Sequence, residues 1–152
     1  MKKSFFIAAT MLLSITAMAE TVPATDSRIT FVGRSVVEDG SYRFDFPSTY
    51  FRVSFSGEKL SMRVTDTKRN YYAVFVNTPT SAEPTRVVEV KGTDTIIDLV
   101  LPSDLKNAAS STHQVVIQRR TEANCGTTTV KEFITDGKFL QAEPLKARQI
   151  EF

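Results

Sequence analysis

The stretch FRVSFSGEKLSMRV, residues 51–64, alternates apolar and polar residues on both sides of the dipeptide Ser56-Gly57. Alternation with a period of two is the pattern of a β-strand that buries one face and exposes the other. Serine followed by glycine is typical of turns. The stretch therefore predicts two consecutive strands separated by a short turn, each with one face in a core.

Similar patterns continue through most of the chain, with Asp39-Gly40 and Asp136-Gly137 as further turn dipeptides. The run Tyr71–Val76 is apolar on both faces, which suits a central strand covered on each side or a strand whose exposed face carries an aromatic residue. Only Ser103–Ala109 could form a helical turn or two. About ten short strands at this spacing predict an all-β fold, a two-sheet β-sandwich over residues 29–143. The other candidate strands are Tyr42–Phe46, Arg86–Val90, Thr95–Leu101, His113–Arg119, Val130–Ile134 and Lys138–Ala142.

The first 19 residues have the composition of a cleaved signal peptide, with Lys2 and Lys3 before an apolar run and Ala17-Met18-Ala19 at its end. Residues 20–28 are small, polar and contain a proline, which predicts a leader ahead of the fold. The mature chain is therefore expected to be secreted or periplasmic. No membrane anchor is expected after cleavage, because the apolar run is shorter than the ~20 residues of a membrane span.

Charge argues against a nucleic-acid partner. Loss of Lys2 and Lys3 lowers the 19 basic residues to 17, equal to the 17 acidic residues. A chain without net charge has no general electrostatic attraction for nucleic acid or anionic lipid.

The residues that usually carry catalysis are scarce. The chain has one histidine, His113, predicted to be a surface or edge residue, and one cysteine, Cys125, with no adjacent base. One Cys and one His far apart do not make a zinc site, and no glycine-rich phosphate loop occurs. The sequence therefore predicts no catalytic residue, no metal site and no cofactor.

Tyrosine is the residue type here that could bind a sugar ring, because aromatic faces stack on pyranoses and the chain has no Trp. Asn70, Tyr71 and Tyr72 are the candidate substrate-binding residues. Adjacent strand residues point to opposite faces, so at most one of the two tyrosines should be exposed.

Three stretches in order resemble a known domain: residues 29–34 with 43–57, the run from Asn70 to Val76, and residues 115–123. Together they resemble the N-terminal jelly-roll domain of carbohydrate esterase family 2, acetyl esterases that act on xylan and other plant polysaccharides. The segment 144–152 resembles the start of the linker to that family's second domain, an SGNH-type hydrolase that carries the nucleophile.

The resemblance implies a non-catalytic accessory domain of an exported acetyl esterase, whose partners are a downstream SGNH-type esterase domain and acetylated polysaccharide. In that role Arg119, Thr121 and Glu122 are candidates for the interface between the domains, and capping of a turn is the alternative role for them. The alternative is a stand-alone carbohydrate-binding module. A small self-contained enzyme is a third interpretation, and it depends on His113 and scattered Ser and Asp residues.

Overall fold

The computed structural model describes residues 19–144, which form ten strands and two short 3-10 turns. The signal peptide and the linker predicted from sequence lie outside the described residues, apart from Ala19 and Pro144. The turns are Pro102–Leu105 and Ala123–Cys125. The strands are β1 (Glu20–Pro23), β2 (Thr30–Val32), β3 (Val36–Glu38), β4 (Ser41–Phe44), β5 (Tyr50–Ser56), β6 (Leu60–Val76), β7 (Arg86–Val100), β8 (Thr112–Arg119), β9 (Thr128–Thr135) and β10 (Lys138–Leu140).

All the strands join one antiparallel sheet in the order β10-β5-β8-β6-β9-β4-β3, with β7 along β6, β2 along β5 and β1 along β9. Strand β6 belongs to two parts of this sheet. Its first half, Leu60–Asp66, pairs with β9, and its second half, Tyr72–Val76, pairs with β8. The pairing of β6 with β7 shifts register between Val64 and Arg69. Such irregularities bend strands, and the sheet curls over at this point.

The curled sheet encloses a single aromatic and aliphatic core. Phe51 of β5 and Phe133 of β9 approach with ring centroids 5.2 Å apart. Phe44 of β4 and Tyr72 of β6 meet edge to face at 6.4 Å. These contacts join the β5-β8 part of the sheet to the β9-β4 part across the interior, as sandwich packing requires. The predicted all-β, sandwich-type fold is confirmed.

Strands β6 and β7 are each longer than the sequence indicated, since each unites two predicted strands. In β6 the alternation of apolar residues stops at Asp66 and resumes at Tyr71. Asp66 and Asn70 are nevertheless buried, because their side chains hydrogen-bond to each other. Strands β7 and β8 flank Tyr71–Val76, so this segment is central in the sheet, and its outer face carries the exposed aromatic residue Tyr71.

The prediction that residues 20–28 are a leader is wrong. Glu20–Pro23 form β1 and pair with Glu132–Thr135 of β9. Val22 and Ala24 are buried in the core. A four-residue strand with one inward valine is too short for an alternation pattern to reveal it.

Residues near both ends of the described chain are tied together by a cluster that we name the terminal clasp: Glu20, Asp26, Arg28, Phe139 and Ala142. The Phe139 amide donates to Glu20 Oε2 at 2.7 Å, and the Ala142 amide donates to the Arg28 carbonyl at 2.9 Å. The Arg28 guanidinium donates to Glu20 at 3.0 Å and to Asp26 at 2.9 Å. The amide of Phe139 lowers the pKa of Glu20, and the hydrogen bond from Arg28 lowers the pKa of Asp26.

The helical turn expected at Ser103–Ala109 is shorter and starts earlier, as the 3-10 turn Pro102–Leu105. The Asp104 carboxylate accepts a hydrogen bond from the Leu101 amide at 2.8 Å. It also pairs with Arg86 of β7 at 3.1 Å. Asp104 therefore holds the turn against the sheet.

Candidate functional site

A groove of about 580 Å³ lies on the outward face of neighbouring strands β5 and β8. The alternation that buries Phe51, Val53, Val115 and Ile117 turns the intervening residues outward. The loop of residues 77–80 forms one wall of the groove. Its floor consists of Tyr50, Arg52, Gln114, Val116 and Gln118.

The loop wall is fixed to β8 by Asn77. The Asn77 amide donates to the Gln114 carbonyl at 2.8 Å, and the Gln114 amide donates to Asn77 Oδ1 at 2.9 Å. Asn77 has φ of 55°, a left-handed conformation that asparagine tolerates better than most residues. The Thr85 hydroxyl accepts from the Val76 amide at 3.0 Å and closes the base of the loop. The groove is thus formed before any ligand arrives.

His113 supports this wall from the interior. The prediction that it is a surface or edge residue is wrong, because its side chain is only 3% exposed and its ring lies 5.4 Å from that of Phe55. Alternation with Val115 and Ile117 places His113 on the inward face of β8. Asn77 Oδ1 accepts from Gln114, so Asn77 Nδ2 donates to His113 Nδ1 at 3.0 Å.

Because Nδ1 accepts a hydrogen bond, the His113 ring is assigned as neutral with its proton on Nε2. Burial lowers the pKa of His113, and the nearby backbone of Gly57 opposes that shift. The ring is therefore buried and held by Asn77 inside the domain.

The three predicted sugar-binding residues do not share a surface. Tyr71 is 37% exposed, and its hydroxyl lies 3.4 Å from Glu89 of β7. Tyr72 is 1% exposed and Asn70 fully buried. The prediction that at most one tyrosine is exposed is confirmed, and Tyr71 alone of the three faces solvent.

Asn70 and Tyr72 belong to a buried polar cluster that we name the Thr128 network: Asp66, Asn70, Tyr72, Arg119 and Thr128. The Thr128 hydroxyl accepts from Tyr72 at 2.8 Å and from Arg119 at 3.2 Å. It donates to Asp66 Oδ2 at 2.6 Å. Asn70 Nδ2 also donates to Asp66, at 2.8 Å. Desolvation raises the pKa of Tyr72 to about 12.

The predicted interface residues adjoin this network. Arg119 is 1% exposed, and its guanidinium donates to the carbonyls of Thr121, Glu122 and Gly126. The Thr121 hydroxyl donates to Asn70 Oδ1. The Glu122 side chain is exposed. Arg119 and Thr121 thus organise the turn between β8 and β9, and Glu122 alone of the three is an exposed residue.

Cys125 is half-buried, and its thiol lies 3.4 Å from Asn124. Among residues 19–144, no group of three or more His, Cys, Asp or Glu side chains is placed to hold a metal ion. No helix within that range is long and apolar enough to cross a bilayer.

The sequence-family model of the carbohydrate esterase 2 N-terminal domain matches residues 31–144, about three quarters of the chain. This chain belongs to that family. The carbohydrate esterase 2 N-terminal domain resemblance noted in the sequence is thereby confirmed. A comparison with curated protein sequences finds no significant match.

Solved structures show the same fold. A family two carbohydrate esterase from Cellvibrio japonicus aligns with a TM-score of 0.70 and 24% identity, over 84% of this chain and 36% of that one. An acetyl xylan esterase from Butyrivibrio proteoclasticus aligns with a TM-score of 0.67 and 15% identity, over 86% and 35%. This carbohydrate esterase 2 N-terminal domain therefore spans about a third of the length of either esterase.

A carbohydrate-binding module also shares the fold. The module from Clostridium stercorarium, solved in complex with cellobiose, aligns with a TM-score of 0.50 and 14% identity, over 77% of this chain and 92% of that one. At these identities the likeness concerns the fold alone.

Sequence reasoning missed the groove residues Tyr50, Arg52, Gln114 and Gln118. Their outward direction was readable from alternation along β5 and β8. Their proximity was not, because Arg52 faces Val116 across a strand pairing that spans more than half the domain in sequence.

Proposed function

We propose that this chain is the non-catalytic N-terminal accessory domain of an exported acetyl esterase that deacetylates plant polysaccharide such as xylan. The observation that carries the proposal is the family match over residues 31–144, together with a length about a third of that of the similar esterases. One of those esterases is described as an acetyl xylan esterase. The signal-peptide pattern of residues 1–19 supports export to where polysaccharides are met.

The state of His113 supports assigning catalysis to another domain. A general base must present a free nitrogen within hydrogen-bonding reach of the reacting group. His113 is only 3% exposed, and its Nδ1 already accepts a hydrogen bond from Asn77. The nucleophile and base of the esterase would then come from a downstream SGNH-type domain, with the present domain supporting or orienting it.

A stand-alone carbohydrate-binding module is the second candidate function. The groove over β5 and β8 favours it, because the groove is preformed and lined mainly by polar side chains. The shared fold with a module solved in complex with cellobiose agrees with this candidate.

An esterase assay tests the first proposal. The purified chain is incubated with 4-nitrophenyl acetate and with acetylated xylan, beside a His113→Gln variant. We expect no turnover above the buffer rate from either protein. Turnover by the native chain that disappears in the variant would overturn the non-catalytic assignment.

The DNA sequence that follows the codon for Phe152 distinguishes the two candidate functions. An accessory domain predicts a Gly-Asp-Ser sequence encoded soon after Phe152, in the same reading frame or in an adjacent one. A gene neighbourhood with neither would favour the stand-alone module.

A further inference from the structure

The groove presents polar groups that the domain itself does not use. Within residues 19–144, the side chains of Arg52 and Gln118 and the hydroxyl of Tyr50 have no hydrogen-bond partner. Gln114 Nε2 donates to Ser54 at 2.8 Å, which leaves its carbonyl oxygen free to accept. Four half-buried side chains therefore offer donors and acceptors to whatever enters the groove.

The chemistry of the lining selects a class of ligand. Seven of the nine lining residues carry polar side chains, and Arg52 is the only charged one. A polyanion site would be expected to have several cations. Planar amide and guanidinium groups beside an aromatic ring suit a neutral polyhydroxylated ligand, whose ring has an apolar face and whose edge carries hydroxyls.

The size and rigidity of the groove are consistent with binding. Its volume of about 580 Å³ lies within the range of roughly 300–1,000 Å³ usual for ligand sites. Asn77 already holds the loop wall on β8 through two backbone-directed hydrogen bonds. Little ordering entropy should be lost when a ligand binds a wall that is already fixed.

We propose that this groove binds a neutral oligosaccharide, with one sugar ring against Tyr50 and its hydroxyls hydrogen-bonded to Arg52, Gln114 and Gln118. The ligand class rests on the polysaccharide context of the proposed function. The site differs from the surface at Tyr71, which lies on β6 beside β7.

Titration with xylohexaose, mannohexaose and cellohexaose, followed by backbone amide NMR, tests the site. We expect saturable shifts confined to β5, β8 and residues 77–80 with at least one of the three. Tyr50→Ala should weaken that binding at least about tenfold, through loss of the stacking face. Gln118→Ala should weaken it about fivefold, through loss of a hydrogen-bonding partner.

Two variants serve as controls. Tyr50→Phe keeps the ring and should retain most of the affinity, which separates stacking from any general loss of folding. Tyr71→Ala removes an exposed tyrosine outside the groove and should bind as the native chain does. The affinity should also be nearly constant between about 50 and 500 mM NaCl, because a neutral ligand is not screened by salt.

Three results would overturn the proposal: no saturable shift with any of the three oligosaccharides, loss of binding in Tyr71→Ala instead of Tyr50→Ala, or a steep salt dependence that indicates an anionic ligand. None of these results bears on the absence of esterase turnover. The groove and the accessory role can therefore fail separately.

Discussion

At the scale of single residues, the domain concentrates its buried polarity around one hydroxyl. Thr128 accepts hydrogen bonds from Tyr72 and Arg119 and donates one to Asp66. Two acceptor positions and one proton are all that a hydroxyl offers, so Thr128 is saturated. The Arg119 guanidinium and the Asp66 carboxyl group thus lie in the interior at tolerable cost, because each retains several partners.

Thr128→Val removes this hydroxyl at nearly constant volume. It leaves Tyr72, Arg119 and Asp66 each short of a partner, and the expected loss is about 3 kcal/mol of unfolding free energy. Urea denaturation measures the loss. Thr129→Val, one residue along β9 on the opposite face, should change stability by less than about 0.5 kcal/mol. Equal losses in the two variants would contradict the role given to the network.

His113 should make stability depend on pH near neutrality. Its folded-state pKa lies below the ordinary value of 6.5 because burial disfavours the charged ring. As pH falls below 6.5 the unfolded chain binds the proton first, so unfolding becomes easier until the folded-state pKa is passed. His113 is the only histidine. The unfolding free energy should therefore decline from about pH 8 to 5.5 in the native chain and stay nearly flat in His113→Gln. Parallel curves would contradict this assignment.

At the scale of elements, the terminal clasp joins two strands from opposite parts of the sheet. β1 pairs with β9, whereas β10 pairs with β5. Glu20 and Arg28 connect the two by hydrogen bonds to the amide and carbonyl of Phe139. Short edge strands of three or four residues gain an attachment that their few ladder bonds would not provide.

Arg28→Ala should open the clasp. Loss of its charge-assisted bonds to Glu20 and Asp26 is expected to cost about 2 kcal/mol and to accelerate hydrogen exchange at the Phe139 amide. Thermal unfolding and exchange mass spectrometry measure the two effects. Arg69→Ala, which removes a more exposed pairing with Glu89 at 3.6 Å, should cost less than about 1 kcal/mol. An unchanged exchange rate at Phe139 would show that Arg28 does not hold β10.

The strands that the sequence predicted are those with regular alternation, such as β5 and β8, because side-chain direction has a period of two regardless of context. Strand β1 was not predicted, because a single inward-facing valine, Val22, does not produce an alternation of apolar and polar residues. The sequence did not predict that β6 is one continuous strand, because the middle of β6 buries the polar residues Asp66 and Asn70. Their burial depends on Thr128, which is distant in sequence. The groove was not predicted for a similar reason, since it forms only when β5 pairs with β8, and these strands are distant in sequence.

At the scale of the whole molecule, β6 and β7 make the fold a single cooperative unit. Each runs the length of the curled sheet, and β6 pairs with β9 at one end and β8 at the other. The two parts of the sheet also share the core through contacts such as Phe51 with Phe133. Neither part can separate without breaking a strand that belongs to both.

One unfolding transition is therefore expected. Far-ultraviolet circular dichroism and tyrosine fluorescence should give the same midpoint in urea, and the calorimetric enthalpy should equal the van't Hoff enthalpy. Two separated transitions, or an intermediate that keeps one part of the sheet protected from hydrogen exchange, would show that the two parts of the sheet joined by β6 can unfold independently.

The clasp that links Glu20 to Phe139 also has a consequence for gene architecture. The first and last strands of the domain lie side by side, so a domain of this kind can be inserted into a longer polypeptide without moving the flanking segments apart. The same adjacency suits circular permutation, in which a short linker from Ala142 back to Glu20 would join the old ends and a new opening could be cut in an exposed turn such as Asp39-Gly40. Such a domain is suited to insertion, as a complete unit, into other proteins.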